Sequence, residues 1–409
     1  MEVLIIGGGV IGLTTAYYLD RAGHRVTVVE RNEGVALETS YANGGQLSYS
    51  YVAPLAGPGV LSKIPKWLMT RDGPMRFRPR LSSAQWKWCL EFATSCTRQR
   101  SDESTRTLLE LAFQSRGAMH DLIREEPTLE EFNYVQSGKL VFFRDQQTYR
   151  AAVGQLDYQR TLGCEQQALD RDACVRIEPA LESIASQIIG GIYTPSEDTA
   201  DCYRFCQGLE RLLRGRGVSF LIGMKIDTLK HMPDGRISAF SGEHKLDAEH
   251  VVVANGCAST ALLAQLGIRV PIYPLKGYSL TVPLNADSKA PTLSVTDFAR
   301  KVVYARLGNH LRIAGMADLT GYSLSLERDR LETLKREAQA LFPNAGDFEG
   351  AERWAGLRPA TPRGTPIIGP TRFPNLWLNV GHGALGFTLA TGSAKSLVDR
   401  MSGNRGSLQ

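Results

Sequence analysis

VLIIGGGVIGLTTAYYLDRAGHRVTVVE, residues 3 to 30, decides the fold of this chain. Val3-Leu4-Ile5-Ile6 is an apolar run of the kind buried in a parallel sheet. Gly7, Gly9 and Gly12 follow in the G-x-G-x-x-G register, and a helical segment runs from Val10 to Ala22. A second apolar strand, Arg25 to Val29, ends at Glu30. Each position serves a mechanical purpose. Gly7 permits the tight strand-to-helix turn, Gly9 lets a pyrophosphate approach the backbone, and Gly12 lets helix and strand pack closely. The helix start offers free N–H groups and the positive end of its dipole to phosphates. Glu30 stands where an acid binds both ribose hydroxyls and repels a 2′-phosphate. Strand, glycines, helix, second strand and acid all fall at the required spacing, so a dinucleotide is the expected ligand. At this point FAD and NAD are both open.

Composition sets bounds. A chain of 409 residues can bury two cores. A net charge of +5 and a pI near 8.8 are a mild basic excess that does not point to nucleic acid, and no basic-aromatic platform supports it. The seven cysteines (89, 96, 164, 174, 202, 206 and 257) are odd in number and include no C-x-x-C pair. They read as reduced thiols, with Cys202 and Cys206 on one helix face, and no metal site is expected. The chain begins on its first strand, leaving no room for a signal peptide, and no apolar run reaches spanning length.

Further along, Glu38 to Tyr51 (ETSYANGGQLSYSY) is polar and aperiodic, either a solvated connection or a lining of the cofactor cleft. Residues 54 to 80 carry five prolines and the basic residues Lys63, Lys66, Arg71, Arg76, Arg78 and Arg80 against the single acid Asp72. Helical patterns cover Ser83 to Ile123, through Trp86, Leu90 and Phe92 and then Leu108, Leu109, Leu111, Ala112 and Met119, and also Thr148 to Leu162. Strands are expected at 138–143, 218–222, 235–241 and 248–256, with helices at 203–214 and 258–266. Strand-like pieces at Tyr278–Val282, Lys301–Ala305 and His310–Gly315 suggest an antiparallel sheet, followed by a helix over Leu326–Phe342. The chain closes with the strand Leu376–Val380, the glycine-rich Gly381-His-Gly-Ala-Leu-Gly386 and a helix from Phe387 to Met401, so a second helix start faces a polar ligand. The last eight residues read as frayed.

In GLRPATPRGTPIIG, residues 356 to 369, Arg358 is stiffened by Pro359, Pro362 and Pro366. A rigid guanidinium suits bidentate recognition of a carboxylate, and equally a structural ion pair across a domain seam.

The segments ETS-xAN-GQ-S after the first βαβ unit, YPLKGYSLT at 273–281, and GLRPATPRGTPIIG followed by NLWLNVGHGALGFTLATGS resemble the small subunit of bacterial D-amino acid dehydrogenase. That family lies in the wider group of D-amino acid oxidase, glycine oxidase and sarcosine oxidase, and the resemblance runs from Met1 to about Met401. It implies an α/β chain with a discontinuous Rossmann-type FAD-binding domain (1–58, 171–266 and 352–409) and an α+β substrate domain on an antiparallel sheet (59–170 and 267–351). It implies that Val3 to Tyr17, with Gly7, Gly9, Val10, Ile11 and Gly12, hold the FAD pyrophosphate, and that Glu30 and Arg31 lie at the adenosine. Ser40, Asn43, Gly44 and Gln46 would line the flavin together with Gly356. Gly381, His382, Gly383 and Gly386 would set a helix start near its pyrimidine edge, where reduced flavin carries negative charge. Arg358 matches the arginine holding the substrate carboxylate, with Tyr278 and Tyr51 as candidates for closing the other side or, equally, as core tyrosines. His382 is expected to contact the flavin and not to act as a base. No cysteine follows Cys257, so noncovalent FAD is expected.

The reaction so implied is oxidative deamination of a D-amino acid by hydride transfer from Cα, giving a 2-oxo acid and ammonia, with electrons passed to a quinone or another acceptor. A D-proline or D-hydroxyproline dehydrogenase and a peroxide-forming glycine or sarcosine oxidase are the alternatives. A protein that only binds FAD has no use for the clamp at Arg358. The basic segment 54–80 is either a lid or a contact with anionic lipid on the inner face of the membrane, in an otherwise cytoplasmic protein. Tyr41, Tyr49 and Tyr51 add bulk near the flavin and bear on which side chain fits.

Overall fold

The computed structural model describes residues 1–69, 73–129 and 131–403. Arg71 and Asp72 of the basic segment, the side chains of Lys63 and Lys66, and residues 404–409 of the tail lie outside this description.

The opening apolar run forms the strand Glu2–Ile6, and the helix Val10–Arg21 leads into the strand Arg25–Glu30. These two strands pair in parallel at the centre of a six-stranded sheet. Its order is Ile367–Pro370, Leu376–Val380, His250–Val253, Glu2–Ile6, Arg25–Glu30, Ser219–Ile222, with only the first strand antiparallel to its neighbour. Apolar residues cover both faces, as a parallel sheet requires. One face packs on the helices Val10–Arg21, Arg98–Glu125, Cys202–Gly215 and Gly386–Met401 through Leu13, Val28, Leu108, Phe205 and Leu389. Leu13, Val28 and Leu389 have no exposed surface, and each contributes about 1.5–3 kcal/mol of burial. The other face is covered by the short helix Ser259–Ala264 and the meander Thr228–His231, Ile237–Ser241, His244–Leu246.

A second, mainly antiparallel sheet of nine strands contains Glu352–Ala360, Tyr273–Pro283, His310–Leu319, Val302–Leu307, Ser294–Asp297, Lys139–Phe143, Gly190–Thr194 and Gln167–Asp170 in that order. Met75–Phe77 adds to it by pairing in parallel with the end of His310–Leu319. The helix Arg328–Leu341 covers one face through Leu331, Leu334 and Leu341. Beneath that helix, Arg330 pairs with Asp318 at 2.5 Å, both side chains fully buried. The guanidinium also donates to the Gly73 carbonyl at 2.7 Å, so the buried charges are hydrogen-bonded as well as paired.

Two of the expected boundaries fall differently. Gly190–Thr194 and Glu352–Ala360 belong to the nine-stranded sheet, although cuts at 171 and 352 assign them to the nucleotide-binding part. Gly190–Thr194 opens on two glycines, and Glu352–Ala360 mixes Glu352, Arg353 and Arg358 with apolar residues, so neither has the alternation that would mark the sheet it joins. The helical span 83–123 is two helices, Ser83–Ser95 and Arg98–Glu125, because Thr97 caps the second by accepting from the Arg100 amide at 3.4 Å. The inward face of the first is Gln85, Trp88 and Phe92, whereas Trp86 and Leu90 are exposed. The span 148–162 also divides, into Gln146–Val153 and Leu156–Thr161, at Gly154. Within 54–80 lies the helix Val60–Met69. Cys202 and Cys206 share the buried face of one helix as free thiols.

Candidate active site

The turn after the first strand is shaped by the glycines. Gly7 adopts φ +116°, and a Cβ on Gly12 would sit 1.8 Å from the Gly7 carbonyl oxygen. Helix and strand therefore approach as only glycine allows. No side chain of its own end residue caps the helix Val10–Arg21. Instead Ser40, brought back by the polar 38–51 stretch, accepts from the Val10 amide at 3.1 Å. Glu30 is buried; its Oε2 accepts from the Gly8 amide at 2.8 Å and its Oε1 from Asn32. The carboxylate is thus fixed by backbone at the edge of the cleft. Arg31 pairs with Glu38 at the cavity lining, and its guanidinium is committed there.

These residues open into one cavity of about 1740 Å³ between the two sheets. Pockets for single small ligands span roughly 300–1,000 Å³, so this one has room for a large cofactor and a substrate. Gly7, Gly9, Val10, Ile11, Glu30 and Arg31 line it, as do Ser40, Asn43, Gly44 and Gln46. Gly356, His382, Gly383 and Gly386 complete that side, while Gly12 and Gly381 stand behind the lining as packing residues. The 38–51 stretch is therefore a wall of the cleft and not a solvated connection. Asn43 folds the wall by accepting from the Gly45 amide at 3.0 Å. Cys257 also lines the cavity, its thiol pushed up to about 12 by burial.

Arg358 lines the same cavity from the strand Glu352–Ala360, whose last residue pairs with His382. Its Nη1 donates to the Met316 carbonyl at 2.7 Å. Burial works against its charge, and among the described residues no carboxylate pairs with it. The guanidinium lies over Gly277, where a Cβ would meet Nη2 at 2.4 Å, and the strand bulges between Lys276 and Tyr278. A charged fork with one committed arm, facing a cavity, is a receptor for an anion.

The two tyrosines differ. Tyr278 touches the cavity, but its hydroxyl donates to Asp318 Oδ2 at 3.2 Å and is held by the buried Asp318–Arg330 pair. Tyr51 also lines the cavity and places its ring 4.4 Å from the ammonium of Lys139. Lys139 is a cavity residue that no sequence motif marks. Fully buried, it donates to Gln46 Oε1 at 2.9 Å and Ser48 Oγ at 2.8 Å. The only signal for it is a lysine opening an otherwise apolar strand, KLVFF. His382 is buried, with Nε2 lacking a partner among the described residues, and burial lowers its pKa to about 3. It is a neutral imidazole at the cavity wall and no general base.

The cleft has what a flavin dinucleotide needs: an open helix start, a buried acid at the second strand, a second helix start at Gly386, and an orphaned ring nitrogen on His382. The family described as "DAO: FAD dependent oxidoreductase" matches residues 2–400. The chain belongs to this family and is FAD-dependent.

Among its relatives, D-amino acid dehydrogenase 2 of Ralstonia nicotianae is 49% identical, covering 98% of this chain and 96% of the relative. D-amino acid dehydrogenase of Rhizobium johnstonii is 42% identical, covering 99% and 97%. Solved structures share the family fold. Glycine oxidase from Geobacillus kaustophilus superposes with a TM-score of 0.79 at 20% identity, over 100% of this chain and 96% of that one. L-proline dehydrogenase from P.horikoshii gives 0.77 at 16%, over 100% and 94%. Among the described residues no helix is long and apolar enough to cross a membrane.

Proposed function

We propose that this chain is a D-amino acid dehydrogenase, oxidising a D-amino acid to the imino acid, which water converts to a 2-oxo acid and ammonia. The observation that carries this reading is Arg358, a guanidinium with no carboxylate partner among the described residues, in the lining of the cavity that the cofactor residues share. The names of the relatives support the amino-acid substrate and its handedness.

In this reading the backbone from Gly7 to Gly12, Glu30, and the helix start at Gly386 hold FAD noncovalently, and FAD when bound supplies the acceptor for a hydride. Arg358 grips the substrate carboxylate with its uncommitted nitrogens and so fixes where Cα stands, which is the larger part of what such a transfer requires. The Asp318–Arg330 pair and Tyr278 stiffen the strands beneath it. Tyr51 bounds the pocket on the Lys139 side. The substrate unit is the nine-stranded sheet with its helices, and the cofactor unit is the six-stranded sheet with its own.

Electrons pass to a quinone, and the segment 54–80 supplies the approach. Leu55, Ala56, Val60 and Met75 line the cavity, and Leu55 and Leu61 are exposed beside it, so the segment serves as lid and as contact with the inner face of an anionic membrane. Arg76 and Arg78 are engaged with Asp329 and Glu327, which anchors the end of the segment to the sheet.

The test is anaerobic mixing of the holoenzyme with D-alanine, L-alanine and D-proline, following loss of flavin colour. Bleaching by D-alanine alone is the expected result. Bleaching by L-alanine at the same rate would overturn the handedness, and peroxide formed in air at the rate of turnover would overturn the quinone assignment.

A further inference from the structure

The sheet face that carries Arg358 carries an apolar wall as well. Arg358 pairs directly with Leu275, so the two side chains rise from the same face. Gly277, under the guanidinium, and Tyr273 share that face by strand alternation. On it rests a cluster that the clamp does not use, with Ala56, Trp88, Phe92 and Leu275 at its centre and Val60 and Met75 packed against them. All six line the cavity, and the four central ones are at most 7% exposed. The ring of Trp88 stacks on Phe92 with centroids 5.3 Å apart and also contacts Tyr273. Its Nε1 donates to the Ala360 carbonyl at 2.8 Å. Ala360 in turn pairs with His382, so the aromatic wall is fastened to the strand of Arg358 and, through it, to the cofactor side.

We infer that this wall holds the side chain of the substrate, and that the enzyme prefers D-amino acids with long apolar side chains to D-alanine and to those with charged side chains. This rests on the amino-acid reading above. Directly opposed residues of antiparallel strands stand about 5 Å apart. A side chain leaving the clamp on this face therefore meets Leu275 first, and then the rings of Trp88 and Phe92. The methyl group of D-alanine is too short to use that wall. A chain of about three or four carbons covers it, and each methylene taken out of water is worth roughly 3- to 4-fold in affinity.

The carboxylates of the region agree with an apolar side chain. Among the described residues the one carboxylate whose charge acts on Arg358 is Asp318, and it is committed to Arg330. The acids that line the cavity are bonded on other elements: Glu30 to the Gly8 amide, Glu38 to Arg31, Asp145 to the Thr148 amide and Asp227 to the Gly242 amide. An ammonium or guanidinium side chain set beside the clamp would lose its water, gain no counter-ion and face the charge of Arg358. An apolar side chain of the same length meets none of these costs.

The test compares the FAD-loaded wild type with Val60→Asp. Val60 opens its helix, where an acid is favourable, so the variant sets a carboxylate on the cavity wall without breaking an element. In the second-order rate of anaerobic flavin reduction, D-leucine is expected to exceed D-alanine roughly 50-fold. D-norleucine is expected to exceed D-lysine, which carries an ammonium on the same chain, roughly 100-fold. Val60→Asp should cut that second ratio by about tenfold or more. A further readout needs no turnover: acetate, butyrate and hexanoate are titrated against the flavin absorbance band, and Kd should fall roughly 3- to 4-fold for each added methylene. A flat series, equal rates with D-alanine and D-leucine, or a lysine ratio that Val60→Asp leaves unchanged overturns the side-chain pocket alone. Hexanoate that competes with a quinone acceptor and not with the amino acid gives the wall to the acceptor and overturns the pocket too. An enzyme that no amino acid reduces overturns the amino-acid reading and the pocket with it.

Discussion

At Gly7–Gly12 the contacts that shape the site centre on the backbone of one turn of chain, whereas at Arg358 they are drawn from three strands far apart in sequence. The missing Cβ of Gly12 sets the approach of helix to strand, and the Gly8 amide fixes Glu30. Arg358 is placed by the Met316 carbonyl on one strand and by the bare face of Gly277 on another. The cofactor wall is thus a local structure that tolerates almost no change in shape. The substrate wall is an assembled one, where a side chain can be lost while the fold stays intact.

Gly12→Val breaks the comparison at its stiffest point and has the largest expected effect. Its Cβ would stand 1.8 Å from a carbonyl oxygen that is part of the turn itself, with no flexible side chain to give way. The helix must leave the strand, and the expected product is colourless protein with reduced yield. A yellow, fully loaded protein would show that the turn is far softer than its geometry states.

Arg358→Met acts on the other wall and leaves FAD bound. It should lower kcat/KM for D-alanine roughly 1,000-fold, in the range of about 2–5 kcal/mol for removing one partner of a buried charge pair. Arg358→Lys keeps the charge and loses the planar fork, and should fall between the two. The decisive control is an amine without a carboxylate: if the variant loses as much there, Arg358 is a structural residue and the clamp is wrong. Gly277→Ala offers a gentler version, since the added methyl would meet the guanidinium and displace it.

The same contrast explains what was legible in the sequence. The first βαβ unit could be read residue by residue because its function needs fixed spacing within one stretch, whereas Ser40, Asn43 and Gln46, which line the cavity, are singled out by the family resemblance, their own polar stretch leaving a solvated connection equally open. Lys139 could not be read this way. It lies far along the chain from Gln46 and Ser48, and their meeting depends on parallel pairing of Ser294–Asp297 with Lys139–Phe143 and on the return of the 46–51 loop. Tyr278 looked like a substrate residue because it sits in a distinctive motif, but nothing local reveals that Asp318 and Arg330 hold its hydroxyl. The misplaced helix face at Trp86 and Leu90 has a related cause. A four-residue rhythm of large apolar side chains fits several faces, and the partner surface around Tyr273 and Leu275 selects Trp88 and Phe92.

His382 sharpens the comparison with the smallest effect, because it stands on the cofactor wall but acts through its side chain. In the unfolded chain its imidazole takes a proton below about 6.5, while in the folded protein burial delays this to about 3. The folded state therefore binds fewer protons over that window, and stability falls as pH drops through it, being fully present above 6.5. At about pH 5 the loss amounts to roughly 2 kcal/mol. His382→Asn removes this slope, so the stability difference between wild type and variant should narrow by about 2 kcal/mol between about pH 7 and 5 in urea titrations. A difference that stays constant would mean that the buried ring accepts a proton where it stands, and that the cofactor wall is as adaptable as the substrate wall.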